Sequence, residues 1–116
     1  MSDELRLGIV LSFSKGGASV KRAEHIEVDV AGDSYVHSNQ EFTTSSVALV
    51  EPAAIGTPGY VFVKNNHASN YIDVGLDNSF TMRLLAGQFA IFPAAAAIYA
   101  KAEGAGSDLE YIIVEL

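Results

Sequence analysis

The residues best able to do chemistry in this chain are three histidines, His25, His37 and His67, and a polar run between Asn65 and Asp77. A zinc site needs imidazole or thiolate ligands at short, regular spacing. The three histidines form no HxH pair and no HExxH, and cysteine is absent, so neither a zinc site nor a metal-binding cupin site has a visible ligand set. Each histidine has a polar neighbour (Glu24, Ser38 and Asn66), which predicts partly exposed strand or turn positions. Serine hydrolysis fares no better. There is no GxSxG, and Ser45-Ser46 leads into an expected strand instead of a helix that could activate a nucleophile.

The polar run holds Asn65, Asn66, His67, Ser69, Asn70, Asp73 and Asp77. Amide and carboxylate oxygens on one loop could chelate Ca²⁺ or hydrogen-bond a sugar. The spacing lacks the DxDxDG pattern of an EF-hand and its closing glutamate, whereas Asn and Asp are favoured in tight turns for conformational reasons. A β-turn is the expectation. The glycine pairs Gly16-Gly17 and Gly104-Ala105-Gly106 read as hairpin turns, because no helix follows to aim its N-terminus at a phosphate. No catalytic, cofactor-binding or metal-binding residue is expected.

The elements that would position these residues are strands. Short apolar runs alternate with Gly, Asn, Asp, Ser and Pro clusters, the rhythm of a β-sandwich or barrel. The expected strands are Leu5–Phe13, Ala23–Val30, Tyr35–Thr43, Val47–Val50, Tyr60–Lys64, Tyr71–Val74, Phe80–Leu85, Phe89–Phe92, Ile98–Lys101 and Leu109–Val114. Thr57-Pro58-Gly59 suits a turn, and Pro93 to Ala97 offers one helical turn at most. A chain of 116 residues, 49% hydrophobic and 18% charged, fits one domain over residues 1–116 with its own core.

Charge and composition narrow the partners. Seven basic against fourteen acidic residues give a net charge of −7, which disfavours nucleic acid and anionic lipid. The absence of cysteine points to folding in a reducing cytoplasm. The acidic opening Met1-Ser2-Asp3-Glu4 has the wrong sign for a secretory signal, and Gly8–Phe13 is too short to span a bilayer.

Ile26, Val28 and Val30 alternate with Glu27 and Asp29, as a half-buried strand should. Four other runs do not alternate: Ile9-Val10-Leu11, Tyr60-Val61-Phe62-Val63, Phe89-Ala90-Ile91-Phe92 and Tyr111-Ile112-Ile113-Val114. Successive strand residues face opposite ways, so these strands carry apolar side chains on both faces. A sandwich needs only one apolar face per sheet, and the surplus predicts contact with another subunit. Register decides whether Phe62 or Val63 faces outward.

From Gly59 onward the order of segments is distinctive. Gly59-Tyr60-Val61-Phe62-Val63-Lys64-Asn65 is followed by Asn70-Tyr71-Ile72-Asp73-Val74-Gly75 and by Leu85-Ala86-Gly87-Gln88. Ile98-Tyr99-Ala100-Lys101-Ala102 and Leu109-Glu110-Tyr111 complete it. This series, about the C-terminal half of the chain, resembles small virion proteins encoded among the structural genes of tailed bacteriophages. The resemblance implies an antiparallel, jelly-roll-like β-sandwich made in the host cytoplasm and incorporated in the virion. The implied role is a non-enzymatic capsid decoration (cement) protein that binds the major capsid protein, as a homo-oligomer with a trimer favoured. A tail, connector or head-fibre component is the alternative within that class. A carbohydrate- or host-binding sandwich using Asn66, His67, Asn70 and Asp73 is the alternative outside it.

Overall fold

The computed structural model describes residues 5–30, 34–50, 55, 58–76, 79–94 and 96–115. These form ten strands and no helix. The chain divides into two compact units, Met1–Ala31 and Gly32–Leu116.

The first unit is a long hairpin. Strand β1 (Leu5–Lys15) pairs antiparallel with β2 (Ala18–Val28) in unbroken register, from Leu5 opposite Val28 to Lys15 opposite Ala18. Gly16 and Gly17 close it with φ of 60° and 84°. Two successive positive φ angles define the type I′ turn, whose twist matches that of the flanking strands and which glycine adopts without a steric penalty. The turn expected at Gly16-Gly17 is present. The second strand begins at Ala18 instead of Ala23, because a two-residue turn sends the chain straight back into pairing.

The second unit is an eight-stranded sandwich of two antiparallel sheets. Its strands are β3 (Tyr35–Phe42), β4 (Val47–Ala48), β5 (Pro58–Asn65), β6 (Ile72–Leu76), β7 (Ser79–Leu84), β8 (Phe89–Pro93), β9 (Ile98–Ala102) and β10 (Ser107–Glu115). One sheet has the order β3-β10-β5-β8 and the other β4-β9-β6-β7. Only β6 and β7 are consecutive neighbours in one sheet; every other connection crosses to the opposite sheet. That order is a jelly roll, two interlocked Greek keys. The all-β, jelly-roll-like expectation therefore holds, within a sandwich that spans less of the chain than residues 1–116.

The core lies between the two sheets. Val61 and Val63 of β5, with Leu109, Tyr111 and Ile113 of β10, line one side. Ile72 and Val74 of β6, with Ile98, Ala100 and Ala102 of β9, line the other. Each fully buried aliphatic side chain contributes about 1.5–3 kcal/mol of transfer free energy, so this layer is the main stabilising element. Tyr111 is buried, yet its hydroxyl donates to the Val50 carbonyl at 2.9 Å, which satisfies the one polar atom it carries inward. Gln40 secures the same segment, accepting from Val50 N at 3.0 Å and donating to the Ala48 carbonyl. Among the described residues every buried side-chain nitrogen and oxygen has a hydrogen-bond partner.

Two local expectations change. Pro58 and Gly59 are buried at the start of β5 and are not turn residues; proline is tolerated there because the first strand residue can go without a ladder donor. Among the described residues of the Pro93–Ala97 stretch there is no helical turn: Pro93 ends β8 and Ala94 donates to the Gly59 carbonyl, extending the β5–β8 pairing. Asp77, Thr57 and Ala31-Gly32-Asp33, which figure in expected loops and turns, lie outside the described residues.

Candidate functional site

The polar run does not assemble into an open ligand site. Asn65 is fully buried at the end of β5. Its Nδ2 donates to the carbonyls of Asn70 (2.8 Å) and Leu84 (2.9 Å), and its Oδ1 accepts from His67 N (2.9 Å). His67 Nδ1 accepts from the backbone N–H of Ser69 (3.0 Å) and Asn70 (2.9 Å), so the imidazole closes the loop on itself. Asn70 Nδ2 donates to Ser107 Oγ at 3.1 Å, and Ser107 Oγ donates to the Gly104 carbonyl at 2.9 Å. These amides hold three chain segments together, which is the turn role that Asn commonly fills.

Asp73 is spent in the same way. Arg83 on the neighbouring strand β7 grips it with Nε to Oδ1 at 2.8 Å and Nη2 to Oδ2 at 3.1 Å. The fork geometry suits a carboxylate bidentately, and the guanidinium also lies 3.8 Å from the Tyr71 ring centroid. The Asp73 hydrogen bond raises the Arg83 pKa against the opposing effect of desolvation. Among the described residues no group of three His, Cys, Asp or Glu side chains could hold a metal ion.

His37, an exposed strand residue as expected, sits on the outer face of the β3-β10-β5-β8 sheet. Its Nε2 lies 2.8 Å from Glu110 Oε2, and Asn66 Nδ2 donates to Glu110 Oε1 at 3.4 Å. The His37 bond, followed by that from Asn66, holds the Glu110 carboxyl below the usual carboxylate range. A carboxyl with a depressed folded pKa adds stability above its unfolded pKa and loses it as pH falls through the folded value. The stability gap between the wild type and a Glu110→Gln variant should therefore narrow as pH drops from neutrality to below ~4. Urea midpoints across that range measure it; a gap independent of pH would contradict the linkage. The effect is small because the pair is solvent-accessible.

What stands out instead is apolar surface. Register places Tyr35, Val114, Tyr60 and Pro93 side by side on the outer face of that sheet. The next row is His37, Ile112, Phe62 and Ile91, and Phe89 follows beside Lys64. Phe62 and Phe89 are in tilted ring contact, with centroids 6.1 Å apart. Tyr35 and Phe89 remain 69% and 61% exposed, and Tyr60, Phe62, Ile91, Ile112 and Val114 are only half-buried. One end of the face is charged, with Glu41, Asp108, Glu110 and Lys64 beyond the apolar rows. The opposite sheet differs: its outer face carries Tyr71, Asp73, Arg83, Lys101 and Phe80, locked together by the ion pair and by Lys101 Nζ 4.8 Å from the Phe80 ring centroid.

The non-alternating runs in the sandwich thus resolve into one core set and one outer set. Val61, Val63, Tyr111 and Ile113 face the core, while Tyr60, Phe62, Ile112 and Val114 face out. Phe62, not Val63, is the outward residue.

The hairpin holds a second apolar surface. Pairing puts Leu5, Leu7, Ile9, Leu11 and Phe13 of β1 on one face with Val20, Ile26 and Val28 of β2. The opposite face carries Arg6, Ser12, Ser14, Ser19, Lys21, His25 and Glu27, with Val10 the single large apolar residue among them. The run Ile9-Val10-Leu11 hides this alternation from a sequence reading. The signal lies in the wider pattern, where small or polar residues occupy every even position from Arg6 to Ser14 except Val10.

The chain matches no protein-family model, no curated protein sequence and no solved structure.

Proposed function

We propose that this chain is a non-enzymatic, self-associating structural subunit of a tailed-bacteriophage particle, and that it decorates the head by binding the major capsid protein. The observation that carries this reading is the apolar outer face of the β3-β10-β5-β8 sheet, in which Tyr35, Phe62, Ile91, Ile112 and Phe89 lie side by side without cover from their own sheet partners. Apolar patches of this kind mark protein–protein contacts. The jelly-roll strand order and the segment order from Gly59 to Tyr111 support a virion setting, although fold alone does not specify function. A net charge of −7 would keep assembled oligomers soluble until they meet their target surface.

Two measurements test the reading. Light scattering on the purified chain should show an oligomer, and a strictly monomeric species at high concentration would overturn self-association. The protein added to phage heads assembled without it should co-sediment with them, whereas the Phe62→Asp variant should remain folded and unbound. Failure of the wild type to bind, or equal binding by Phe62→Asp, would overturn the decoration role. Val63→Asp is the contrasting variant: Val63 is fully buried, so a carboxylate there should unfold the sandwich instead of merely detaching it.

A further inference from the structure

We propose that the apolar face of the β1–β2 hairpin is the contact through which two copies of this chain pair about a two-fold axis. A two-stranded hairpin is marginal in water on its own, because one layer has nothing to bury its apolar face against. Here Ile9, Leu11, Phe13, Val20 and Ile26 are each between 45% and 58% exposed on that face. The opposite face is polar apart from Val10, with Arg6 3.3 Å from Glu27. The hairpin is therefore half of a small sandwich.

The charges choose the occupant. Two ionic side chains interrupt the middle of the apolar face, Glu24 opposite Ile9 and Arg22 opposite Leu11, and within one chain they pair with each other; a third, Lys15 opposite Ala18, closes the face at the turn. On either side of these central rows lie rows that are wholly apolar, Leu7 with Ile26 and Phe13 with Val20. The four central rows consequently read alike from both ends, apart from the sign of the central charge. If a second copy is laid face to face with its strands reversed, β2 lies over the partner's β2. Arg22 then meets Glu24 of the partner subunit, and Glu24 meets Arg22 of the partner subunit. Ile9 meets Leu11 of the partner subunit, and the Leu7–Ile26 row meets the partner's Phe13 and the partner's Val20. In these four central rows each apolar pair finds an apolar pair and each charge its opposite, at the ~10 Å spacing usual for stacked sheets, while at the edge Lys15 beside the turn meets the Leu5–Val28 row of the partner subunit. A purely apolar partner such as a lipid surface would desolvate this ion pair without adding a partner to either charge. The two-fold arrangement differs from the trimer that the resemblance implies.

This inference rests on the reading of the chain as a self-associating subunit, and charge reversal on the full chain separates the two. Light scattering and sedimentation should give a dimer, or a multiple of dimers, for the wild type. Arg22→Glu and Glu24→Arg each place like charges across the axis twice, so each should weaken pairing on the order of 100-fold. Mixing the two variants should restore pairing, as a heterodimer visible in native mass spectrometry, because each then supplies the charges the other lacks. Lys21→Glu makes the same change in net charge as Arg22→Glu, but on the polar face, and should leave pairing unaltered. If a single variant does not fold, the double variant Arg22→Glu/Glu24→Arg should still pair as the wild type does. An oligomer indifferent to these changes, or an odd-numbered one, would overturn the hairpin contact while leaving self-association standing. A monomer whose hairpin amides gain exchange protection only on phage heads would overturn both, making the head surface the occupant.

Discussion

Replacing Asn65 by Leu is expected to destabilise the sandwich by about 2–4 kcal/mol, since the buried Leu84 carbonyl and the part-buried Asn70 carbonyl and His67 N–H lose their hydrogen bonds, at a cost of roughly 1–3 kcal/mol for a fully buried group and less for the other two. Leucine has nearly the same shape and brings apolar surface, so lost volume is not the cause. The Asn70 and Leu84 carbonyls lose their donor and the His67 N–H loses its acceptor. The Asn65 side chain is fully buried, and water cannot reach the Leu84 carbonyl without opening the fold. The backbone of Asn65 is engaged as well, its N–H donating to the Gln88 carbonyl and its carbonyl accepting from Gly87 N, both at 2.9 Å. One residue thereby ties the end of β5 to the 66–71 loop, to the end of β7 and to the turn before β8. Urea unfolding of Asn65→Leu measures the loss. A change below about 1 kcal/mol would show that the carbonyls find other donors, a typical single hydrogen bond being worth about that much.

The second large effect belongs to Gly75. A Cβ at this position would lie 1.7 Å from the Ser79 carbonyl oxygen and 2.5 Å from its carbon. Both atoms are backbone, so no side chain can swing aside. The close approach arises where the β6–β7 register shifts between Val74 and Gly75, which brings Gly75 opposite Phe80. Glycine at a bulge lets two backbones touch. Gly75→Ala should force β7 away from β6 and cost about 3 kcal/mol or more, at the upper end of overpacking penalties. Thermal unfolding would register it, and hydrogen exchange should show the loss concentrated in Ser79–Leu84. Gly104→Ala is the mild counterpart: its Cβ would meet only the Asn70 Nδ2 end at 3.1 Å, which can shift by a few tenths of an ångström. Equal stability of the two variants would contradict the backbone collision at Gly75.

These two residues also mark where local pattern stops being informative. Asn65 belongs to a run whose composition suggested a ligand loop or a turn, and the side chain proves to be an internal brace. Its three partners lie between two and nineteen residues away, and only the return of β7 beside β6 brings the Leu84 carbonyl within reach. Gly75 directly follows the expected strand Tyr71–Val74. Its need for glycine comes from a neighbour four residues on, at a register shift that no composition rule encodes.

The features legible from the chain's own pattern were local. Apolar runs bounded by turn formers placed all ten strands, and Gly16-Gly17 specified a tight hairpin, because strand alternation and positive-φ turns depend on neighbouring residues. The excess of apolar residues on two strand faces was equally legible, since it needs only the period of two along a strand. Tertiary structure decided everything that depends on which strands meet. It separated the chain into a hairpin unit and a sandwich unit, dealt the eight later strands into two sheets, and turned Val63 inward and Phe62 outward. It also paired Asp73 with Arg83 and gathered Asn65, His67 and Asn70 into one closed loop. The physical reason is that pairing partners come from distant parts of the chain, and a one-residue slip in register would exchange every inner side chain for its outer neighbour.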